Sequence, residues 1–368
     1  MIKVLRVITR LNAGGPSKQV QLLGSIFDES SLSQLIVVGE VQNSELEIPL
    51  TNFNKIEKIK GLQRGINPIK DLQSFFRLIR IIADYRPNVI HTHLSKAWAL
   101  VILAKIVMRS KTKVVHTFHG HILHSYFPTF VQPFINGIQK FLALKTDVLV
   151  AVSLETRREL LNAGIGLKSD FRVIPPGFTT LAKKDKETAR LELGLRNDFF
   201  CIGFVGRFES IKRPDILAEV IVSSLSKFQN IHFFICGGGS LYEDFKNTVM
   251  HPNVLCLPWI DDLTTVYSAV DLLLLTSDNE GTPLTIIEAG KFGVPTLARG
   301  VGGVPSLIEH GVSGYLTGNL PQNFVDSIGS ITEDPLTHHK VSVSAHQYFN
   351  TNYDLSTFLK SYREIYLR

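Results

Sequence analysis

The chain has 368 residues and a mass of 41.1 kDa, with 44% hydrophobic and 20% charged residues, which excludes a disordered chain and leaves room for two ordinary domains. Three cysteines (Cys201, Cys236, Cys256) without a C-x-x-C pair exclude a disulfide scaffold and a thiolate zinc site, and no apolar run reaches the roughly 18 residues that span a bilayer. The net charge of +6 is uneven: residues 1–180 carry 23 Lys/Arg against 12 Asp/Glu, and residues 181–368 carry 16 against 21. Phosphate, an anionic membrane surface or nucleic acid would each suit the basic half, as would uneven composition without a function.

Met1 is followed almost at once by strand-like residues, with no small-residue cleavage site, so no signal peptide is expected. Val- and Ile-rich runs predict strands at 3–8, 35–38, 89–92, 114–118, 148–153 and 171–174. Helical periodicity between them predicts helices at 16–27, 68–85, 96–108, 130–144 and 154–163. PPGFTT and the polar KKDKETAR, within residues 175–190, break the rhythm and mark a junction. A second series follows, with strands at 200–205, 232–235, 254–257, 271–276, 296–298 and 314–316. Its helices are predicted at 213–228, 241–248, 262–269, 284–292 and 304–309, with two more at 335–349 and 355–367. The alternation is that of two doubly wound parallel sheets, which bind ligands beyond the carboxyl ends of their strands.

Gly14 and Gly15 follow the first strand, and Pro16 suits a first helical turn. Two glycines allow a tight turn with exposed N–H groups at a helix start, where a phosphate can sit; a plain βα turn is the other reading. The pattern is not G-x-G-x-x-G, so a dinucleotide is poorly supported. Six of the twelve histidines lie within 34 residues: His91, His93, His116, His119, His121 and His124. H-x-H pairs can hold zinc, but the two rings of a pair are expected on opposite faces of the strand, and no carboxylate lies within 20 residues of His119. The favoured reading is a polar rim at the carboxyl edge of a sheet, with one imidazole facing a substrate. Most of the others, His91 and His116 among them, are expected to satisfy backbone carbonyls.

In the second series, Arg207 ends a strand and Lys212 precedes a helix, an arrangement in which an Arg fork and a Lys point charge can grip a pyrophosphate. Arg213 is expected to face solvent. Gly237, Gly238 and Gly239 form another loop where a ligand could approach backbone. The sharpest signal is DLLLLTSDNEGTPLTIIEAGKFGVP at 271–295. Thr282 is predicted to cap the helix and Pro283 to be its first residue, which places Glu280 in the loop at the helix's positive end. Glu288 falls on the helix itself, either as an acceptor for a vicinal diol or as an exposed residue on a solvent face.

Taken in order, these segments resemble the retaining GT-B glycosyltransferases of family 4. The marks are E-x7-E at Glu280 and Glu288, the Gly14–Gly15 loop, T-F-H-G at 117–120, P-G at 176–177, G-R-x4-K at 206–212 and G-V-G-G-V-P-x-x-I at 300–308. The resemblance implies two facing Rossmann-like domains with a C-terminal crossover helix. Residues 1–180 with about 350–368 would bind the acceptor, and residues 181–349 the nucleotide-sugar donor. It implies that Glu288 accepts from the ribose hydroxyls and that Glu280 lies near the donor hexose with the backbone of Gly281, Thr282, Pro283 and Leu284. Arg207 and Lys212 would neutralise the diphosphate, His119 would face the transferring sugar, and Gly14 and Gly15 would approach the donor phosphates. The base would be held by backbone at 257–260. The family rule is retention of anomeric configuration without a divalent metal, and no other cofactor is implied.

The implied partners are a nucleotide sugar, UDP-linked by family habit, and a glycan or polyprenyl-linked glycan of bacterial surface polysaccharide synthesis. HTHLSKAWAL and HTFHGHILHSYF carry that narrower resemblance. Phe75, Phe76, Leu78, Ile79, Ile81 and Ile82 beside Arg77, Arg80 and Arg86 suit either an anionic membrane surface or packing on the sheet. A second basic cluster is Lys105, Arg109, Lys111 and Lys113. Trp98 and the residues Phe127 and Phe130 border the acceptor or belong to the core. The expected state is a monomer or weak homodimer, cytoplasmic or peripheral on the inner face of the membrane. Nucleic acid is not expected, because no aromatic RNP-like strand or zinc-finger spacing appears. The alternatives are a nucleotide-sugar epimerase of the same fold and a non-catalytic basic protein that binds lipid or nucleic acid.

Overall fold

The structure is a computed structural model that describes every residue except 13, 26–31, 42–46, 48–52, 54, 121–131, 180–181 and 261. His121, His124, Phe127 and Phe130 therefore lie outside the described residues. The chain divides into two compact units, Met1–Gly177 with Leu355–Arg368, and Phe178–Asp354.

The first unit alternates β1 (Ile2–Ile8), α1 (Gly15–Gly24), β2 (Leu32–Val38), β3 (Ile56–Lys58), α2 (Pro68–Tyr85), β4 (Val89–His93), α3 (Ser95–Val107), β5 (Lys113–Phe118), α4 (Gln132–Leu144), β6 (Val148–Ala151), α5 (Leu154–Asn162) and β7 (Asp170–Val173). Its strands form one parallel sheet in the order β3-β2-β1-β4-β5-β6-β7. All of β4 and β6 is buried, as a parallel sheet covered on both faces requires. Local signals set the helix ends. At α2 the Asn67 side chain accepts from the Lys70 N–H at 3.0 Å, Pro68 follows it, and Asp71 lies in the positive first turn.

The second unit contains α6 (Lys186–Glu192), β8 (Phe200–Arg207), α7 (Pro214–Lys227), β9 (Ile231–Gly238), α8 (Tyr242–Thr248), β10 (Val254–Leu257), α9 (Thr264–Ala269), β11 (Leu272–Leu275), α10 (Leu284–Lys291), β12 (Thr296–Arg299), β13 (Tyr315–Thr317), α11 (Pro321–Glu333) and α12 (Pro335–Asn352). Its parallel sheet runs β10-β9-β8-β11-β12-β13. The strand order reverses between β8 and β11, the position at which doubly wound sheets bind ligands.

The last helix, α13 (Leu355–Leu367), belongs to the first unit. Its Phe358, Tyr362, Ile365 and Tyr366 pack with Val4, Val115 and Val150 of the first sheet. Each such ring contributes about 2 kcal/mol by burial. The P-G pair serves this contact: a Cβ on Gly177 would lie 2.5 Å from the Phe358 side chain, and Gln19 clasps the Gly177 backbone, donating to its carbonyl at 3.2 Å and accepting from its N–H at 3.1 Å.

Four elements depart from the sequence expectation. β3 is a three-residue edge strand whose Ile56 is exposed, too short for an alternation signal. The polar segment read as part of the junction contains α6, capped by Asp185, whose carboxylate accepts from the Thr188 N–H. Residues 321–333 form α11, and Phe324, Val325, Ile328 and Ile331 carried its helical period. The short helix predicted at 304–309 is a 3-10 turn, Val304–Ser306.

Trp98 is core: it is fully buried, stacks on His116 at 4.1 Å and donates from Nε1 to Thr146 Oγ1 at 2.9 Å. On α2, Leu78, Ile81 and Ile82 are buried against the sheet, whereas Phe76 remains 61% exposed. No described helix is long and apolar enough to cross a membrane.

Candidate functional site

At the carboxyl edge of the first sheet the histidines are held neutral. His91 and His93 lie on the same face of β4, with ring centroids 4.1 Å apart, because side chains two residues apart on a strand share a face; the expectation of opposite faces fails on that geometry. Arg6, fully buried on β1, donates from Nη1 to His91 Nδ1 at 3.0 Å and to the Tyr366 hydroxyl at 2.8 Å. A guanidinium can only donate, so His91 Nδ1 accepts and its Nε2–H donates to Thr117 Oγ1 at 2.8 Å. His116 Nδ1 pairs with Thr92 Oγ1 at 2.9 Å. His91 thus binds side chains, not the backbone carbonyl the sequence suggested, whereas His116 also has a backbone hydrogen bond at Thr92.

His119, just past β5, meets His93 through Nε2 and Nδ1 at 2.9 Å, so one ring donates and the other accepts. Burial lowers the His119 pKa to about 4 and holds His91, His93 and His116 well below the ordinary histidine value. The Nε2 atoms of His93 and His116 are buried without a hydrogen-bond partner among the described residues. Gly14 is the N-cap and Gly15 the first residue of α1, the helix that follows β1. A Cβ on Gly14 would meet nothing within 4 Å, so packing does not demand glycine there.

The second sheet carries charge at the corresponding edge. Arg207 ends β8 with its side chain exposed and forms no ion pair among the described residues. Lys212 ends a 3-10 turn after β8, and Glu280 sits in the loop after β11. Their side chains meet at 2.5 Å, and Ser277 Oγ donates to the same Glu280 oxygen at 2.6 Å. The Lys212 and Glu280 side chains are only 18% and 10% exposed, so the pair sits in a largely enclosed setting. Backbone contacts join the two loops: Asp278 N–H donates to the Ile211 carbonyl at 2.9 Å, and Thr276 Oγ1 donates to the Lys212 carbonyl at 2.9 Å.

Asp278 anchors this loop. Arg299, at the end of β12, donates to its carboxylate at 2.5 Å, and Arg213 does so at 3.1 Å while also gripping Asp215. Arg213 is therefore not a free solvent-facing cation; its left-handed backbone (φ 52°) is held by these ion pairs. Asp278, Ser277 and Arg299 escaped the sequence reading, although Asp278 lies two residues before Glu280 and Arg299 ends the neighbouring strand.

Glycines bring a further loop close. A Cβ on Gly303 would lie 1.8 Å from the Gly281 carbonyl oxygen, and the Gly303 N–H donates to the Glu280 carbonyl at 2.9 Å. Gly237 and Gly238 are not loop residues but the end of β9, paired with Gly206 and Arg207 of β8, and a Cβ on Gly237 would strike the Gly206 carbonyl oxygen at 1.9 Å.

Helix α10 starts one residue later than predicted. Pro283 is its N-cap, without a capping side chain, and Thr282 Oγ1 is buried with no partner among the described residues. Proline lacks an N–H and fixes φ, so it ends the loop as readily as it begins a helix. Leu284 is the first helical residue, and Gly281 and Thr282 precede it. Glu288 is half-buried on α10, and the Tyr267 hydroxyl of α9 donates to its carboxylate at 3.0 Å. It is therefore not a solvent-face residue. Among the described residues, no group of three or more His, Cys, Asp or Glu could hold a metal ion.

Residues 49–180 match the family described as Glycosyltransferase Family 4, and residues 200–334 match Glycosyl transferases group 1. The chain is 28% identical over 293 residues to the Escherichia coli UDP-Gal:alpha-D-GlcNAc-diphosphoundecaprenol alpha-1,3-galactosyltransferase, covering 75% of this chain and 74% of that protein. It is 27% identical to an uncharacterized 41.2 kDa protein in the cps region of Klebsiella pneumoniae, covering 94% and 95%. The structure of Anabaena HepE with UDP and glucose superposes with a TM-score of 0.82 over 99% of both chains, at 19% identity. With a glycosyltransferase match on each of its two Rossmann-like units and the GT-B architecture over its whole length, the chain is a GT-B-fold glycosyltransferase related to family 4.

Proposed function

We propose that this protein moves a hexose or N-acetylhexosamine from a UDP-sugar to a glycan or polyprenyl-linked glycan acceptor in bacterial surface polysaccharide synthesis, with retention at the anomeric carbon. The single observation that carries this reading is the enclosed Lys212–Glu280 pair beside the exposed Arg207, at the strand-order reversal of the second sheet. The printed names of the relatives support the substrates: the E. coli enzyme uses UDP-galactose and a diphosphoundecaprenol-linked sugar, the Klebsiella protein comes from a cps region, and HepE holds UDP with glucose.

In this reading the second unit binds the donor and the first unit the acceptor. Breaking the bond from sugar to diphosphate builds negative charge on the leaving oxygens while the sugar becomes cation-like. Arg207 and Lys212 are the cations that offset the leaving charge. The open N–H groups of Gly281, Thr282 and Leu284 at the start of α10 hold donor oxygens at the positive end of the helix, with Pro283 fixing the turn between them. Glu280 keeps Lys212 oriented and lies beside the hexose, and Glu288 takes the ribose hydroxyls. His119, neutral at physiological pH, is a hydrogen-bonding group for the transferring sugar rather than a cation. The Gly14–Gly15 turn meets the phosphates through its backbone at the start of α1.

Calorimetric titration with a panel of nucleotide sugars tests the reading. One UDP-hexose or UDP-N-acetylhexosamine binds best, and Arg207→Ala and Glu288→Gln each weaken it. Unchanged affinity in both variants removes the donor assignment. Rapid interconversion of the sugar with no acceptor present would make the protein an epimerase instead.

A further inference from the structure

The loop between β11 and α10 carries two carboxylates, Asp278 and Glu280, that keep different company. Glu280 meets the Lys212 ammonium and the Ser277 hydroxyl. Asp278 meets two guanidiniums: Arg299 of β12 at 2.5 Å, and Arg213, just before α7, at 3.1 and 3.3 Å to its two oxygens. The Asp278 side chain is 40% exposed, and an ion pair that open adds little to stability. What it fixes is geometry. A carboxylate gripped by planar forks from two different elements is set in direction as well as in distance.

The chain that Asp278 holds is the one that carries Lys212. Arg213 follows Lys212 directly and has a left-handed backbone, which a residue with a side chain keeps only where its surroundings over-determine it. Asp278 does so from two sides: its carboxylate takes the Arg213 guanidinium, and its N–H donates to the carbonyl of Ile211, the residue before Lys212, at 2.9 Å. Thr276, fully buried two residues earlier, donates from Oγ1 to the Lys212 carbonyl at 2.9 Å and to the Arg213 carbonyl at 3.3 Å. Arg299 closes the circuit, because the Nη1 that meets Asp278 also donates to the Thr276 carbonyl at 3.3 Å. The backbone on both sides of Lys212 is therefore tied to residues 276–278. Without such ties, a flexible four-carbon stem on a mobile turn would not place its ammonium reproducibly.

We infer that Asp278 is a positioning residue for the donor diphosphate: held between Arg213 and Arg299, it fixes the backbone from which Lys212 reaches the phosphates. Asp278 touches no phosphate in this account and acts through Lys212 alone. The inference rests on the donor reading given above.

A double-mutant cycle tests it, with UDP titrated calorimetrically into the full-length wild type, Asp278→Asn, Lys212→Met and the double variant. Asp278→Asn keeps the shape of the side chain and removes its charge, while Arg299 retains Thr276 and Asn319 as acceptors. That variant should melt near the wild-type temperature and bind UDP about tenfold more weakly. In the Lys212→Met background the same change should have no further effect on UDP, because the group it positions is gone. Thr276→Val, which unties the Lys212 carbonyl, should show the same dependence on Lys212 with a smaller loss, and it decides the matter if Asp278→Asn fails to fold. A merely structural role would weaken UDP equally with and without Lys212. The inference is overturned if Asp278→Asn binds UDP as the wild type does, or if its loss and that of Lys212→Met simply add. If the wild type binds no UDP, the donor reading falls with it; if Arg207→Ala weakens UDP and Asp278→Asn does not, only the inference falls.

Discussion

The two units share a doubly wound parallel sheet yet solve the same edge in opposite ways. At the carboxyl edge of the first sheet, imidazoles are packed on one another and kept neutral, with Arg6 fixing His91 from below. At the corresponding edge of the second sheet, Lys212 meets Glu280, two arginines hold Asp278, and Arg207 stands exposed. The scaffold therefore sets where a site can be, and the loop residues set whether it offers neutral hydrogen bonds or charge. A rim of neutral imidazoles suits hydroxyl-rich ligands; exposed and paired cations suit phosphate.

That contrast can be broken at several points. The largest stability effect is expected at Glu280. Glu280→Ala leaves Lys212 enclosed without its partner and costs about 3 kcal/mol, read by thermal or urea unfolding, together with a roughly 100-fold loss of donor turnover. Full stability with full turnover would show that the pair is incidental.

Acid should act on the first unit next. His119 binds its proton in the unfolded chain near pH 6.5 but, in the fold, only near pH 4. Between those values the unfolded state holds more protons, so stability falls as pH drops, by about 2 kcal/mol for this residue at pH 5. The neighbouring His91, His93 and His116 add to the same trend, since burial lowers each of them. His119→Gln should flatten the fall between pH 7 and 5, measured by urea titration at each pH. An unchanged slope would mean that His119 titrates normally.

The two glycine loops give the smallest and sharpest comparison. Gly303→Ala forces a methyl group against the Gly281 carbonyl and should cost about 1–3 kcal/mol by melting. Gly14→Ala meets open space and should stay within about 0.5 kcal/mol of the wild type. Equal costs at the two sites would contradict the packing described for either loop.

Most of the fold could be read from the chain because buried parallel strands leave continuous Val, Ile and Leu runs, as in Leu272–Leu275, with helical periods between them. β3 escaped because an exposed three-residue edge strand carries almost no pattern. At the candidate site, spacing brought Glu280 and Glu288 to attention, but it held no information on their partners. Tyr267 is 21 residues from Glu288 and Lys212 is 68 from Glu280, and such pairings exist only once the sheet orders its strands. The histidine rim was visible as composition, yet its neutrality comes first from burial and, at His91 and His93, also from Arg6, which in the sequence is one more residue of an apolar strand.

The central claim is that the second unit grips a nucleotide diphosphate through an exposed cation that the fold itself does not need. Calorimetric titration of UDP into the wild type and Arg207→Ala tests it most directly. The account predicts a roughly 100-fold loss of affinity in the variant at an unchanged melting temperature. Equal affinity in the two proteins would contradict it.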